Sequence, residues 1–162
     1  GGLAVGETKA EMYETLNHTM PFMPAEKPRY LMGVGEPDDL VEGIMRGIDI
    51  FDCVIPTRYA REGTVFAWDG KMRIQDKKFR KDRCSIATQC ACYACKNNYS
   101  RAYLRHLLFA NETLAETLMT IHNLHFYQEL MAAMRKAIEE QRFQAWKKEF
   151  LTRYMPKKSR RK

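Results

Sequence analysis

The sequence lacks any hydrophobic stretch long enough to cross a membrane, since no apolar run in its 162 residues approaches the roughly 20 that a transmembrane helix needs. It also lacks a signal peptide, internal repeats and, apart from a basic end, any low-complexity segment. Its five cysteines are an odd number, which argues against a disulfide framework. These absences predict a soluble, cytoplasmic protein whose unclustered cysteines, Cys53 and Cys84, are free thiols.

What is present is the composition of one ordinary domain. Hydrophobic residues make up 45% of the chain, enough for a core, and the formal net charge is +7. Five of the 27 basic residues lie in the last six positions, so the body of the chain is only mildly basic. This basic tail is either a solvated terminus or a phosphate-binding segment, and the sequence does not decide between the two interpretations.

Strand and helix patterns alternate over the first third of the chain. Short apolar runs predict strands over residues 1–6, 29–35 and 48–53, and helical spacing of apolar residues predicts helices over 11–17 and 37–45. This βαβαβ order is typical of a parallel sheet, whose strands must be covered on both faces. Three strands cannot close or cover such a sheet, and the chain starts at a strand without an initiating Met. We therefore expect the C-terminal part of a larger α/β barrel, either a fragment or one piece of a split protein.

The pattern changes after Arg58. Residues 64–74 predict a β-hairpin around an Asp69-Gly70 turn, and a charged stretch then leads into a cysteine cluster. From Ser100 onward the chain reads as helical, with Asn111 as the expected cap of a long helix. The expected units are residues 1–62 with the last βα units of the barrel, residues 63–156 with the hairpin and a metal-binding helical subdomain, and the basic tail at residues 157–162.

Three cysteines within six residues, Cys90, Cys92 and Cys95, form a strong metal-binding pattern. Thiolates at this spacing, together with one imidazole, complete the tetrahedral shell of Zn²⁺. His122 is the preferred fourth ligand because a helix can present it rigidly, and His125 is the competing donor. Four protein ligands leave no open position for a substrate, so we expect one structural zinc ion.

Asp52 is the candidate for reactivity. It stands at the C-terminal end of an apolar predicted strand, the end at which barrel enzymes place their catalytic groups. A carboxylate there either takes part in chemistry, caps the next loop or pairs with Arg58, and the pattern alone does not decide. Arg58 and Arg61 would hold phosphates or face solvent. The segment Gly33-Val34-Gly35 lacks the third glycine of a dinucleotide fingerprint and fits a tight loop.

Several segments together carry a resemblance to one family. They are Gly2-Leu3-Ala4-Val5-Gly6-Glu7, Tyr30-Leu31-Met32-Gly33-Val34-Gly35, Phe51-Asp52-Cys53-Val54-Ile55-Pro56-Thr57-Arg58, the cysteine cluster, Ser100-Arg101-Ala102-Tyr103-Leu104, and His122-Asn123-Leu124 with Leu130-Met131. The chain closely resembles the C-terminal part of the queuine tRNA-ribosyltransferases, also called tRNA-guanine transglycosylases. The matches follow the family's order over nearly the whole chain.

The resemblance implies a TIM (β/α)8 barrel with an inserted zinc-binding helical subdomain, and a pentosyltransferase of queuosine biosynthesis. The family exchanges the wobble guanine of certain tRNA anticodons for a 7-deazaguanine. Asp52 would be the nucleophile that bonds covalently to the ribose, and Arg58 and Arg61 would bind the tRNA strand. The base pocket would be formed by Gly2, Leu3, Ala4, Val5, Gly6, Met32 and Gly33.

The resemblance also makes finer predictions. Leu3-Ala4-Val5-Gly6 is the bacterial form, which implies 7-aminomethyl-7-deazaguanine as the incoming base. The family's second catalytic aspartate would lie upstream of Gly1, so the chain is expected to need the missing N-terminal part of the barrel and not to exchange bases alone. A homodimer is implied because the family tends to dimerise near its zinc subdomain. Cys84 stands where the family commonly has proline, which bears on the approach to the zinc loop but not on its ligands.

Two other functions stay open at this point. One is a non-catalytic, zinc-dependent tRNA-binding or dimerisation module, which the basic tail favours. The other is an archaeal-type relative that inserts a cyano-deazaguanine, which is disfavoured because no extra RNA-binding domain precedes the basic end.

Overall fold

A computed structural model describes residues 2, 3 and 5–155, which form a mixed α/β protein. Gly1, Ala4, Pro156 and the predicted basic tail at 157–162 lie outside the described residues. Single 3-10 turns occur at Met20–Phe22 and Lys77–Phe79. In chain order the elements are α1 (Lys9–Thr19), β1 (Tyr30–Met32), α2 (Pro37–Met45), β2 (Ile50–Asp52), α3 (Ile55–Arg61), β3 (Thr64–Ala67), β4 (Gly70–Arg73), α4 (Tyr93–Lys96), α5 (Arg101–Phe109), α6 (Thr113–Glu139) and α7 (Phe143–Tyr154).

Strands β1 and β2 pair in parallel across helix α2, which confirms two of the three predicted strands as a βαβ unit. The register sets Met32 opposite Asp52. Side chains alternate along β1, with Leu31 buried and its neighbours Tyr30 and Met32 about half exposed. The βαβ unit therefore has one face packed on the protein and one open face, and Asp52 lies at the end of it.

The strand predicted over residues 1–6 is wrong at the described positions. Gly2, Leu3, Val5 and Gly6 form a turn and a bend, and the Val5 N–H donates to the Gly2 carbonyl at 3.2 Å. A strand needs a neighbouring strand to satisfy its backbone, whereas here the backbone bonds locally. The expected βαβαβ order is accordingly reduced to one βαβ unit preceded by α1.

The predicted hairpin is confirmed, but its turn lies one residue earlier than expected. Strands β3 and β4 are antiparallel with Ala67 opposite Gly70, so the two loop residues are Trp68 and Asp69. Gly70 instead begins β4 with a φ of +117°, and a Cβ there would stand 3.0 Å from the backbone oxygen of Tyr154. Helix α7 packs close enough on the hairpin to require glycine at this position.

Helix α6 is the central element, and α3, β3, α4, α5 and α7 all pack against it. None of the described helices, including this helix of 27 residues, is long and apolar enough to cross a lipid bilayer. Asn111 is not its cap, because Glu112 holds that position and Asn111 adopts a left-handed φ of +55° in the link from α5. Asparagine tolerates that conformation better than most residues, which explains its place in the link.

The buried side chains form three clusters. One surrounds the cysteines, one fills the space between α2, the hairpin, α6 and α7, and one lies between α1 and the βαβ unit. The second is rich in aromatic rings, with Phe66 stacked between Tyr59 and Phe126 at centroid distances of 5.8 and 6.0 Å. Because α6 contributes to both the first and the second cluster, it joins the cysteine region to the βαβ unit.

Candidate metal centre and the carboxylate of Asp52

The structure brings together the four predicted metal ligands. Cys90 and Cys92 lie in the loop before α4, Cys95 lies within α4, and His122 extends from α6, on which α4 packs. The three Sγ atoms lie 3.6, 3.5 and 3.4 Å from His122 Nδ1, in the order Cys90, Cys92, Cys95. Cys92, Cys95 and His122 are buried and Cys90 is half-buried, so a bound ion would be shielded from solvent.

These distances fit a tetrahedral ion of the size of zinc. Bond lengths of about 2.3 Å to sulfur and about 2.05 Å to nitrogen place the two ligand atoms of a tetrahedral site about 3.6 Å apart. The observed separations of 3.4–3.6 Å match that edge length without rearrangement of the side chains. The four ligand atoms also lie within 4.8 Å of one another, so the cluster is a potential metal site compatible with zinc.

The second ring nitrogen of His122 fixes which nitrogen faces the cluster. Nε2 lies 2.7 Å from the Phe66 carbonyl oxygen, and a carbonyl only accepts, so Nε2 carries the proton and donates. Nδ1 is left for a metal. Hydrogen bonds from Cys90 and Cys95 hold the pKa of the Cys92 thiol well below its usual range, which favours the thiolate that a metal requires.

The electrostatics of the cluster also favour a cation. Burial opposes protonation of His122, but its contacts with Cys92 and Cys95 outweigh burial and raise its pKa to about 9. The group of thiols thus attracts positive charge, which a divalent ion would supply more effectively than a proton. His125, the competing donor, has Nε2 3.1 Å from Glu129 Oε1 on the same helix and lies outside the four-ligand group.

Asp52, the predicted reactive carboxylate, is exposed and is fixed by two hydrogen bonds to the same oxygen. Tyr30 donates its hydroxyl to Oδ1 at 2.6 Å, and the Gly33 N–H donates to Oδ1 at 3.1 Å. The hydrogen bond from Tyr30 is the main cause of a lowered pKa of Asp52, and the bond from Gly33 adds to it. The carboxylate is therefore ionised near neutral pH. The sequence pattern does not single out Tyr30 as a site residue, although its spacing of two from Met32 places it on the strand face that Asp52 shares.

The structure separates Asp52 from the arginine that was its alternative partner. Arg58 Nε lies 3.8 Å from Glu62 Oε1, one turn along α3, and its guanidinium lies 5.8 Å from the Tyr59 ring centre. Arg58 and Arg61 are both exposed on the helix that directly follows the Asp52 strand. Asp52 therefore bonds the loop after β1, and the two arginines stay exposed to solvent.

A cavity of about 190 Å³ lies between α1 and the loop after β1. Of the predicted base-pocket residues, Leu3 and Gly33 line it. Gly2 and Gly6 are exposed, Ala4 lies outside the described residues, and Met32 lies on the open face of β1 beside Asp52. The Val5 side chain is 78% exposed and does not line the cavity.

Two residues that line the cavity, Lys9 and Asp39, belong to an ionic network between α1 and α2. Lys9 Nζ lies 2.5 Å from Asp38 Oδ2 and 2.8 Å from Asp39 Oδ1, and the Tyr13 hydroxyl donates to Asp39 at 2.5 Å. Both aspartates are buried in the first turn of α2, where the helix dipole also favours negative charge. The network fixes α1 against α2. Its only sequence signal was the pair of acidic residues after Pro37.

The loop after β1 is tightly packed against the residue that follows Asp52. A Cβ at Gly35 would stand 1.8 Å from Cys53 Sγ, and the buried Tyr127 hydroxyl donates to the Gly35 carbonyl at 2.5 Å. Position 35 therefore requires glycine because Cys53 approaches it closely, and not because a dinucleotide binds there. Helix α6, through Tyr127, supports the loop that donates to Asp52.

Together these features define a mixed α/β protein with a buried potential metal site of three cysteines and one histidine, and with a separate carboxylate at the end of a parallel strand. The model of one family, queuine tRNA-ribosyltransferase, matches residues 1–156. Since the match covers nearly the whole chain, the chain belongs to the queuine tRNA-ribosyltransferase family, whose members are transferases of tRNA processing.

Proposed function

We propose that this chain carries the nucleophile and part of the base pocket of a tRNA-guanine transglycosylase. The observation that supports the proposal best is the setting of Asp52, an ionised and exposed carboxylate held by Tyr30 and Gly33. Gly33 also lines the cavity beside α1, so the nucleophile and the candidate base pocket share a residue. The substrate would be the wobble guanine of a tRNA anticodon.

In the proposed reaction, Asp52 Oδ2 bonds to C1′ of the ribose as the C1′–N bond to guanine breaks. Guanine leaves with the bonding electron pair and is protonated. A ring nitrogen of the incoming 7-deazaguanine then bonds to C1′, loses its proton and displaces Asp52, which departs as a carboxylate. Tyr30 and Gly33 both bond Oδ1, which leaves Oδ2 oriented for attack and reduces the entropy lost on the way to the transition state.

The βαβ unit would contribute two strands of a TIM barrel, with Asp52 at the carboxyl end of its strand, where barrel enzymes hold their substrates. Arg58 and Arg61 follow on α3 and would bind phosphates of the tRNA strand near the target nucleoside. The family's second catalytic aspartate would be supplied from outside residues 1–162. The incoming base would be 7-aminomethyl-7-deazaguanine, and this choice rests on the resemblance at Val5 alone.

We infer that the metal is a single Zn²⁺ with a structural role. Three thiolates and one imidazole are the donors that zinc prefers, and four protein ligands leave no coordination site for water or substrate. Bound there, the ion would hold the loop before α4 onto α6. Its chemistry is charge neutralisation and cross-linking of the fold rather than catalysis.

A homodimer is proposed through the surface beside the metal centre. Tyr93, Tyr99 and Tyr103 form a row of rings with centroid distances of 6.1 and 6.0 Å. Tyr93 is 56% and Tyr103 is 41% exposed, so the row presents apolar ring surface to solvent. Aromatic rings of this kind are common at the centres of protein interfaces, and a second copy of the chain would cover them.

The proposed function is tested by trapping the covalent intermediate. The native protein that carries these residues would be incubated with tRNA and separated on a denaturing gel. We expect a protein–RNA band that Asp52→Asn abolishes, because an amide cannot form the bond to C1′. Asp69→Asn, which removes another exposed carboxylate in the hairpin turn, should leave the band intact.

Metal content and tRNA affinity would be measured on the same variants. If Asp52→Asn still forms the band, Asp52 is not the nucleophile. If neither the unmodified protein nor the variant forms it while both bind tRNA equally, the non-catalytic zinc-dependent binding module is the better description.

A further inference from the structure

The loop after β1, residues 33–36, contacts both the strand that carries Asp52 and the long helix α6, and we call it the β1 loop. Its first residue, Gly33, donates to Asp52, and its third, Gly35, accepts from the buried hydroxyl of Tyr127 on α6. We propose that Tyr127 is a positioning residue, which holds Asp52 in its reactive orientation through the β1 loop. The inference rests on the proposed function for the role of Asp52.

The ring and the hydroxyl of Tyr127 make different contacts. The ring packs edge-on against Phe66 and Phe126, at centroid distances of 5.3 and 5.8 Å, and phenylalanine would keep both contacts. The hydroxyl donates to the Gly35 carbonyl at 2.5 Å. Burial raises the pKa of Tyr127 well above its ordinary value, so the hydroxyl keeps its proton through the acid and neutral range. The bond to the β1 loop therefore persists while Asp52 titrates.

A second contact of Gly35 leads to the residue that follows Asp52. A Cβ at position 35 would stand 1.8 Å from Cys53 Sγ, so the Gly35 backbone and the Cys53 side chain touch closely. A displacement of Gly35 would therefore reach Asp52 by two routes, through the Gly33 N–H and through Cys53. Close packing of this kind transmits small shifts rather than absorbing them.

Helix α6 gives Tyr127 a fixed base. One turn earlier on the same helix, the buried Asn123 side chain donates to the Pro56 carbonyl at 2.9 Å. Pro56 lies in α3, the helix directly after the Asp52 strand. Helix α6 therefore holds two segments next to Asp52, the β1 loop through Tyr127 and the start of α3 through Asn123.

The surroundings of Asp52 make its titration a readout of the β1 loop. Among the described residues, the titratable groups that face it are Tyr30 of β1, which donates at 2.6 Å, and the neighbouring Cys53. Burial raises the pKa of the Cys53 thiol, so it is uncharged near neutral pH. Because substitution at Tyr127 leaves both groups in place, a change in the pKa of Asp52 would report the bond from Gly33.

The first test is a titration that needs no reaction. The native protein would be labelled with 13C at its aspartate carboxyl carbons, and the Asp52 signal would be assigned with Asp52→Asn. Tyr127→Phe should weaken the bond from Gly33 to the ionised carboxylate and so raise the pKa of Asp52. An unchanged titration would overturn the proposal.

The second test follows single-turnover formation of the covalent adduct over the same pH range. We expect Tyr127→Phe to slow it about tenfold at neutral pH, since misplacing a reacting group by about 1 Å can cost up to about 100-fold. The acid limb of the profile should move to higher pH, whereas tRNA affinity should stay the same because Tyr127 is buried.

Tyr154→Phe is the matched control. Tyr154 belongs to the same aromatic cluster, is 5% exposed, and has a buried hydroxyl with no hydrogen-bond partner among residues 2, 3 and 5–155. Its loss should change neither the pKa of Asp52 nor the rate. Urea denaturation would compare the stability of the two variants. If Tyr127→Phe is less stable but matches Tyr154→Phe in titration and rate, its role is merely structural and the proposal is wrong.

A second variant carries the test if Tyr127→Phe does not fold. Glu36, the last residue of the β1 loop, accepts from the Tyr59 hydroxyl at 2.9 Å and from Lys71 Nζ at 3.0 Å. Neither donor is among the groups that set the pKa of Asp52. Tyr59→Phe combined with Lys71→Met would release this end of the loop and should also raise that pKa, and an unchanged value would overturn the proposal.

These results can fail separately from the proposed function. If the unmodified protein forms no adduct but Tyr127→Phe raises the pKa of Asp52, the positioning stands and the proposed reaction is wrong. If the adduct forms and Tyr127→Phe changes neither its rate nor the titration, the positioning alone is wrong.

Discussion

At the scale of single residues, the most informative contact is the hydrogen bond from Tyr30 to Asp52. It joins neighbouring strands at 2.6 Å and is the largest cause of the lowered pKa of the carboxylate. A carboxylate with a lowered pKa is ionised throughout the neutral pH range, but it is also a weaker nucleophile. Its contribution would then come from position, with one oxygen held and the other free to attack.

We predict that Tyr30→Phe slows adduct formation about tenfold at neutral pH by loosening Asp52, with little change in stability because Tyr30 is half-exposed. Loss of a donor to the ionised form raises the pKa of Asp52, so the acid limb of the pH–rate profile should move to higher pH. Single-turnover rates between pH 3 and 8 would measure both effects.

Tyr103→Phe is the matched control, since it removes a tyrosine hydroxyl from α5 and should leave the profile unchanged. A Tyr30→Phe profile that coincides with the unmodified protein would show that the hydroxyl does not position Asp52.

At the scale of elements, the side chain of Asn123 joins three of them. Its amide oxygen accepts from the Phe66 N–H at 3.1 Å, and its nitrogen donates to the carbonyls of Pro56 and Thr64 at 2.9 and 3.1 Å. The residue is fully buried and directly follows the metal ligand His122. Helix α6 thus bonds both the hairpin and the start of α3, the helix that follows Asp52.

Asn123→Ala should lower the free energy of unfolding by about 2–4 kcal/mol, because it leaves the Phe66 N–H and the Thr64 carbonyl of β3 without their side-chain partner. Urea denaturation followed by circular dichroism would measure the loss. Asn97→Ala removes a single exposed bond to the Tyr93 carbonyl and should cost less than about 1 kcal/mol. Similar losses in the two variants would show that Asn123 does not join these elements.

The sequence predicted most elements because their signals are local. Hydrophobic periodicity located β1, β2, α1, α2 and the helices after Ser100, and the glycine after Asp69 located the hairpin, whereas the short helices α3 and α4 were not predicted. The strand predicted over residues 1–6 failed because an apolar run does not reveal whether a pairing partner lies alongside it. The predicted position of the hairpin turn was wrong by one residue for a similar reason. Gly70 begins β4 because α7 approaches it closely, and that contact depends on tertiary packing.

The candidate sites show the same difference between features set by local sequence and features set by tertiary packing. The cysteine spacing predicted the metal ligands, because three thiols placed so closely along a chain are typical of a metal site. The partners of Asp52 required the strand register, which sets Tyr30 within reach, and the network of Lys9 with Asp38 and Asp39 required the packing of α1 on α2. Sequence patterns therefore located the candidate site residues but not their hydrogen-bond partners.

At the scale of the whole molecule, α6 packs against both halves of the described chain, and the candidate metal site would fix the cysteine loop onto α6. His122→Ala should reduce the metal content from about one ion per chain to near zero and lower the free energy of unfolding by more than about 3 kcal/mol. Elemental analysis and thermal denaturation would measure these changes.

His125→Ala should keep the metal, because its ring pairs with Glu129 outside the four-ligand group. A His122→Ala protein with full zinc affinity would show that the assignment of the fourth ligand is wrong. Chelation of the unmodified protein should reproduce the loss of stability, since a closed site is structural.

The row of tyrosines beside the metal centre makes a prediction about assembly. Tyr103→Glu would place a charge in the proposed interface. If the proposed dimer forms, we expect the variant to be monomeric in light scattering while the unmodified protein is dimeric. Leu124→Glu, on an exposed position of α6 away from the row, is the control and should leave the mass unchanged. A dimer that persists in Tyr103→Glu would place the interface elsewhere.

The contact between Gly35 and Cys53 has an evolutionary consequence. The space beside the Asp52 strand holds one small side chain, and Cys53 occupies it, since even a methyl group at position 35 would stand 1.8 Å from its sulfur and 2.5 Å from its Cβ. Position 35 therefore cannot gain a side chain while a side chain remains at position 53. Among related sequences, a larger residue at position 35 should occur only with glycine at position 53, whereas position 53 can vary among small residues as long as position 35 stays glycine.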